Sequence, residues 1–248
     1  MSKIITWLDR KLYPGARIQI ADDLFRKEIL SLIRPDHIVL DLGAGAGYES
    51  YMDFRGKAER VCGVDPDERI LTNQFLDEAV VSDGESIPYR DNLFDLVISN
   101  NVLEHLTAPV PVISEVARVL KPSGLFLFKT PNKWHYVPLI ARVSPHWLHE
   151  WVNEKRGRPA ENTFPTAYAM NSPKSVRRIA KESGLEVERI ALVEGQASYL
   201  RFSWPTYLLG CAYERWVNHV PGFDRFRVVM IGCLRKPLAH RLDQGGDR

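Results

Sequence analysis

The sequence predicts an α/β fold: one mostly parallel, seven-stranded sheet with helices on both faces and an inserted segment over its open end. Three observations carry this. Short apolar runs alternate with segments of helical period, the first run ends in a cluster of glycines, and prolines and glycines stop each helix where the next strand is due. The 248 residues are 45% hydrophobic and 26% charged, enough to bury a sizeable core.

Residues 20–33 place apolar side chains at helical spacing until Arg34-Pro35-Asp36 ends the helix. Residues 37–42 then read as a buried parallel strand, followed by strands at 60–65, 79–82 and 94–99. A helix over 109–120, with Pro109 near its start, leads through Lys121-Pro-Ser-Gly124 to a fifth strand at 125–129. Ser172 is an N-cap, Pro173 a first-turn residue and Gly184 a stop, so 172–184 is a helix. Strands at 185–193 and 226–234 flank a helix near 206–218, and the polar tail to Arg248 should fray. Residues 131–170 break the alternation. Their five prolines and crowd of Trp, His, Tyr and Arg read as a lid. The expectation is therefore a single domain over 1–248, with a ligand-binding core at 20–130, a lid and acceptor insert at 131–170, and the rest of the sheet at 171–236.

Composition narrows the partners. With 33 basic and 31 acidic side chains the formal net charge is +2, which excludes the strong positive field of a nucleic-acid binder. Cys62, Cys211 and Cys233 show no CxxC spacing, so neither a disulfide framework nor a thiolate metal site is expected, and a reducing cytoplasm fits. The first twelve residues interleave charges with apolar groups, unlike a signal peptide. No segment reads as a membrane span. The apolar stretch 202–220 is broken by Pro205, Glu214 and Arg215, which leaves peripheral contact as the membrane role still open.

Asp41-Leu-Gly43-Ala44-Gly45-Ala-Gly47 sits at the carboxyl end of the first strand, where open parallel sheets bind ligands. A dinucleotide loop, GxGxxG, would need glycine at position 48, which is Tyr48. That departure counts against a nicotinamide-dependent oxidoreductase. Asp65 ends the second strand 20 residues after Gly45, where a carboxylate accepts the ribose hydroxyls of an adenosine.

Four segments, VLDLGAGAG, VCGVDP, SDGESIPYRDNLFDLVISNNVLEHL and RVLKPSGLFLFKTPN, resemble in order and spacing the motif series of class I methyltransferases of the UbiE/UbiG type. The resemblance covers residues 38–132 and implies a Rossmann-like fold, S-adenosyl-L-methionine as cofactor and S-adenosyl-L-homocysteine as product. It implies that Asp41, Gly43, Ala44, Gly45 and Gly47 cradle the methionine moiety and that Asp65, with Pro66, takes the ribose. Asp83, Gly84 and Glu85 fall at the adenine, and Asn100 and His105 beside the sulfonium.

Methyl transfer to a hydroxyl is an in-line displacement helped by a general base, and histidine suits that task. Of seven histidines, His135, His146 and His149 lie in the lid segment and His105 follows the fourth strand. His135 is the preferred base. The pair His146 and His149 lacks a third ligand, so no metal is expected. Arg142, Lys155, Arg156 and Arg158 form a basic cluster that would suit an anionic substrate group. The lid also resembles, more weakly, those of bacterial methyltransferases of cell-surface glycan synthesis, which implies O-methylation of a sugar with Trp134, Tyr136 and Trp147 stacking on it. The sequence thus points to O-methylation of a small molecule or glycan. N-methylation of a natural-product amine, or cofactor binding without turnover, are the alternatives.

Overall fold

The structure, a computed structural model, describes residues 3–14, 20–143, 165–197 and 199–238. Seven strands form one sheet: β1 (Ile38–Leu42), β2 (Arg60–Asp65), β3 (Glu78–Val81), β4 (Phe94–Asn100), β5 (Leu120–Pro131), β6 (Glu186–Val193) and β7 (Val229–Arg235). Their order is β3-β2-β1-β4-β5-β7-β6. The helices are α1 (Lys3–Leu12), α2 (Ile20–Leu32), α3 (Pro109–Val119), α4 (Tyr136–Val143), α5 (Pro173–Glu182) and α6 (Trp204–His219).

The middles of the central strands are apolar because both faces are covered, and polar groups such as Asp41 and Asn100 gather towards the carboxyl ends. Val39, Leu40, Val61, Cys62, Leu96, Val97 and Ile98 are all buried. β1 pairs in parallel with β2 and with β4, β2 with β3, and β4 with β5. The chain therefore steps outward from β1 to β3 and then restarts on the other side of β1 at β4. That reversal places the carboxyl ends of β1 and β4 side by side at the switch point.

Caps explain the helix limits. Ser172 accepts from the Ser175 amide in a capping box, Pro173 fills the first turn, and Gly184 stops α5 at φ +74°. Ser203 and Thr206 repeat that box at the start of α6, which begins two residues earlier than the apolar pattern indicated.

Two differences from the sequence reading bear on the site. No α-helix follows the glycine loop. Between β1 and β2 there is a single 3-10 turn, Ser50–Met52, and between β2 and β3 another, Glu68–Thr72. Only eight residues, 48–55, separate the last loop glycine, Gly47, from Gly56, a length at which a helix is marginal. The second difference is that β5 starts at Leu120, pairing with Phe94, rather than at 125. A register shift between Phe94 and Leu96 absorbs the Pro122-Ser123-Gly124 turn, with Ser123 at φ +66°.

By its contacts the chain divides into two compact units. One comprises Met1–Leu24, Pro131–Thr166 and Leu192–Met230, and the other Phe25–Thr130, Ala167–Ala191 and Ile231–Arg248. Of the segment 131–170 expected as a lid, the described residues 131–143 are grouped with α1 and α6, and residues 167–170 with the unit that holds the glycine loop.

Candidate functional site

Within the second unit, the glycine loop leaves β1 with Gly43, Gly45 and Gly47 at φ +77°, +53° and +74°, the left-handed conformations that glycine adopts without strain. The three glycines have different reasons. A Cβ at Gly43 would strike Val102 and one at Gly47 would strike the Asn73 amide, whereas at Gly45 it would meet nothing within 4 Å. Gly45 therefore faces open space.

The loop is braced from both sides. The Gly43 amide donates to the Val64 carbonyl at 2.8 Å, and the Gly45 amide to Oδ2 of Asp65 at 2.9 Å. Oδ1 of Asp65 accepts from the Asp67 amide at 2.8 Å. Asp65 thus ties β2 to the loop and, with two lone pairs on each oxygen, keeps acceptor capacity for a ligand. Asn73 donates from Nδ2 to the carbonyls of Ala44 and Gly45, both at 3.1 Å. Pro66 lies in the exposed turn after Asp65. Asp83 accepts from the Glu85 amide at 3.0 Å, and Gly84 lets that turn press against Leu42 and Val112, where a Cβ would sit 3.4 and 2.9 Å from them.

Two acceptors at the strand ends are left without protein donors. Asp41 is 7% exposed, and burial, with the nearby Asp65 charge, pushes its carboxyl up to about 7; no hydrogen bond offsets that burial. Asn100 donates from Nδ2 to the Tyr51 hydroxyl at 2.8 Å, but its buried Oδ1 has no partner. An open glycine, a buried carboxyl without donors and an orphaned amide oxygen form an incomplete polar site. They fit a ligand that brings an ammonium to donate to a carboxylate and a positive charge to lie near an amide oxygen, and S-adenosylmethionine carries both, the second on its sulfonium.

Sequence reasoning missed the groups behind this site. Lys129, at the end of β5 and 3% exposed, lies over the rings of Phe25 and Tyr51 at 5.7 and 5.6 Å, with Nζ 3.4 Å from the Tyr51 hydroxyl. Buried Glu104 accepts from Thr130 at 2.8 Å, and Asn171 donates to that same Thr130 hydroxyl at 2.6 Å. Desolvation raises the Glu104 carboxyl. Its carbonyl receives the Ala167 and Tyr168 amides, so this chain of polar groups fastens the 167–171 segment to β5. Asn73 and Tyr51 carried no periodic or motif signal, because bracing a loop depends on partners distant in sequence. His105 lies in a turn rather than a helix, its amide donating to the Val102 carbonyl at 2.9 Å.

His135 belongs to the first unit and stands immediately before α4. Its Nδ1 accepts from the Val137 amide at 3.4 Å, and its ring packs on Tyr136, Tyr199 and Tyr213 with centroids 4.2, 5.5 and 5.5 Å away. Burial holds the imidazole down to about 3. Glu194, whose Oε2 accepts from the Val228 amide, lies 3.9 Å from Nε2 and is pushed up to about 8 by burial. Both groups are therefore uncharged at neutral pH, and the approach is not an ion pair. Asn132, fully buried, anchors the segment by donating to the carbonyls of Arg225 and Arg227 at 2.8 Å each. His146, His149, Trp147, Lys155, Arg156 and Arg158 lie outside the described residues, as does the Arg142 side chain. No group of three potential metal ligands occurs among the described residues.

Known proteins match this arrangement. The methyltransferase domain family matches residues 40–128, which span β1 to β5. An uncharacterized methyltransferase from Mycolicibacterium vanbaalenii is 33% identical over 213 residues, 80% of this chain and 76% of that one. A ubiquinone biosynthesis O-methyltransferase from Thiobacillus denitrificans is 28% identical over 161 residues, 61% and 66% of the two chains. Among solved structures, a geranyl diphosphate C-methyltransferase from Streptomyces coelicolor, in complex with Mg2+, geranyl diphosphate and S-adenosyl-L-homocysteine, superposes with a TM-score of 0.53 at 17% identity, covering 87% of this chain and 78% of that one. Sheet order, glycine loop and a relative sharing a third of its residues over most of both chains lead to one conclusion: the chain belongs to the class I S-adenosylmethionine-dependent methyltransferases.

Proposed function

We propose that this enzyme methylates a hydroxyl of a small-molecule or glycan acceptor, with the cofactor held by the residues at the ends of β1, β2 and β4. The observation that carries the cofactor reading is the incomplete polar site: Gly45 open, the Asp41 carboxyl buried without donors and Asn100 Oδ1 unpaired. In this reading Asp41 receives the ammonium of the methionine end while the amides and carbonyls of Gly43 to Gly47 line its path. Asp65 accepts from the ribose, with Pro66 shaping the turn beside it. Asp83, Gly84 and Glu85 border the adenine, and Asn100 and His105 lie towards the sulfur.

S-adenosylmethionine, when bound, supplies an electrophilic methyl on a sulfonium. The chain's own work is to align, to exclude water and to take one proton. His135 is the proton acceptor of this proposal on its residue type and its place after β5; to act, its Nδ1 must release the Val137 amide, and burial works against the step by lowering its basicity. Its depressed basicity means that the proton leaves the hydroxyl late, as the methyl arrives. Above about pH 8 an ionised Glu194, 3.9 Å away, would stabilise the imidazolium, so the rate should rise through that range. His146 and His149 remain proposed alternatives for this proton.

The hydroxyl reading has the likeness to an O-methyltransferase of ubiquinone biosynthesis behind it, and equal likenesses, at 28% identity, to ubiquinone/menaquinone biosynthesis C-methyltransferases make carbon the rival acceptor. Its test is transfer from methyl-labelled cofactor to matched phenol, sugar, amine and activated-carbon acceptors, with the product bond read by NMR. A methyl ether is expected. A C- or N-methyl product overturns the hydroxyl reading alone, and binding of S-adenosylhomocysteine without transfer to any acceptor class overturns the enzymatic one.

A further inference from the structure

α6 carries an apolar strip on its solvent side that its packing does not explain. Trp204, Leu208, Leu209 and Trp216 are 51, 37, 65 and 46% exposed, and Phe202 before the helix and Val220 after it are 41 and 39% exposed. Pro205 and Ala212 are exposed on the same side, which follows the i, i+4 rows from 204 to 216. The opposite side is the packed one. Tyr207 and Cys211 form a core cluster with Ile5 of α1, joined by Leu8, Leu12 and Tyr13.

α1 presents a matching outer side. Ile4 and Trp7 are 51 and 58% exposed, and Lys3, Arg10 and Lys11 are exposed beside them, with Lys11 Nζ 5.9 Å from the Trp7 ring. The Arg215 guanidinium of α6 lies 6.0 Å over the ring of Tyr13, at the seam of the two helices. The acidic groups of both helices are turned inward: Asp9 binds Arg201 and the Tyr207 hydroxyl, and Glu214 accepts from Tyr13 and Asn218. The exposed sides thus combine tryptophans and aliphatics with cations and carry no carboxylate.

We propose that α1 and α6 form a docking surface for an anionic lipid bilayer, lying in its interface without crossing it. Tryptophan with leucine is the composition that partitions into the headgroup region, and lysine and arginine stems reach from there to lipid phosphates. The absence of exposed acid on these helices distinguishes this surface from one made for a cationic partner. No described helix is long and apolar enough to cross a membrane, which agrees with in-plane seating. The proposal is independent of which acceptor the enzyme methylates.

The test is cosedimentation of the full chain with phosphatidylcholine vesicles, with and without phosphatidylglycerol, together with tryptophan emission. Retention on the anionic vesicles with a blue shift, weakened by salt, is expected. Replacing Lys3 and Lys11 together by serine should weaken that retention by about tenfold or more, since each cation near the surface contributes roughly fivefold. Leu209→Asp should abolish the blue shift while thermal melting and S-adenosylhomocysteine affinity stay as in the wild type, which separates docking from folding. Equal retention of wild type and Leu209→Asp, or no retention on either vesicle, overturns the proposal. A dimer in sedimentation velocity that Leu209→Asp dissociates, with no vesicle binding, gives the surface to a second copy and overturns it as well.

Discussion

The strand ends around Gly45 and the aromatic packing around His135 are both rich in polar side chains, yet their hydrogen bonding runs in opposite directions. At the strand ends acceptors exceed donors: the Asp41 carboxyl has no offsetting hydrogen bond, Asn100 Oδ1 has no partner, and the space beside Gly45 is open. Around His135 the side chains complete one another. The imidazole caps the Val137 amide, Glu194 takes the Val228 amide, and three tyrosine rings close the space. A region prepared for a ligand is recognisable by what it lacks, because an unpaired buried group is tolerated only where something else supplies the pair.

The largest way to break this contrast is Gly45→Arg. The side chain would enter the open space, and S-adenosylhomocysteine affinity measured by calorimetry should fall at least about a hundredfold, while the left-handed φ of +53° costs only roughly 1–2 kcal/mol of stability. Unchanged affinity in a folded variant would remove the loop from the cofactor site.

How far each region was legible in the sequence follows from the same contrast. The glycine loop, Asp65 and Asp83 stood out because their roles are local: a turn that needs glycine, a carboxylate at a strand end. The seven strands were placed within a few residues for the same reason, with β2 at the limits expected. Tyr51, Asn73 and Lys129 were invisible, since Asn73 acts on Ala44 and Gly45 from 29 and 28 residues away and Lys129 on Tyr51 from 78. The short 3-10 turn Ser50–Met52, in place of a helix after the loop, was likewise hidden, because Tyr48, Tyr51, Met52 and Phe54 interrupt the polar residues much as a helix face would. His135 was singled out in the sequence for its chemistry, and the structure shows it buried among aromatic rings and bonded to the Val137 amide.

Separating the proposed base from the observed cap is the next test. His135→Ala removes both imidazole and cap, while His135→Asn keeps a side chain that accepts from a helix amide. As the base, His135 should lose about a hundredfold in kcat in both variants with cofactor affinity unchanged. Recovery of kcat in the asparagine variant would assign it to the cap alone. The alanine variant should also melt earlier, by the equivalent of about 1 kcal/mol or more from the cap.

The smallest effect is the most specific, because it reports the missing donor at Asp41. Its carboxyl is raised from 3.8 to about 7 in the free fold, so this group stabilises the fold most below pH 4 and that contribution is lost as pH rises towards 7, of the order of 4 kcal/mol in all. A ligand ammonium beside the carboxylate reverses the sign, favouring the ionised form. S-adenosylhomocysteine affinity should therefore tighten about tenfold between pH 6 and pH 8, with proton release on binding below pH 7. In Asp41→Asn the same titration should be flat. A wild-type profile as flat as the variant's would mean that the ammonium lies elsewhere, leaving Asp41 a buried acid that only shapes the loop.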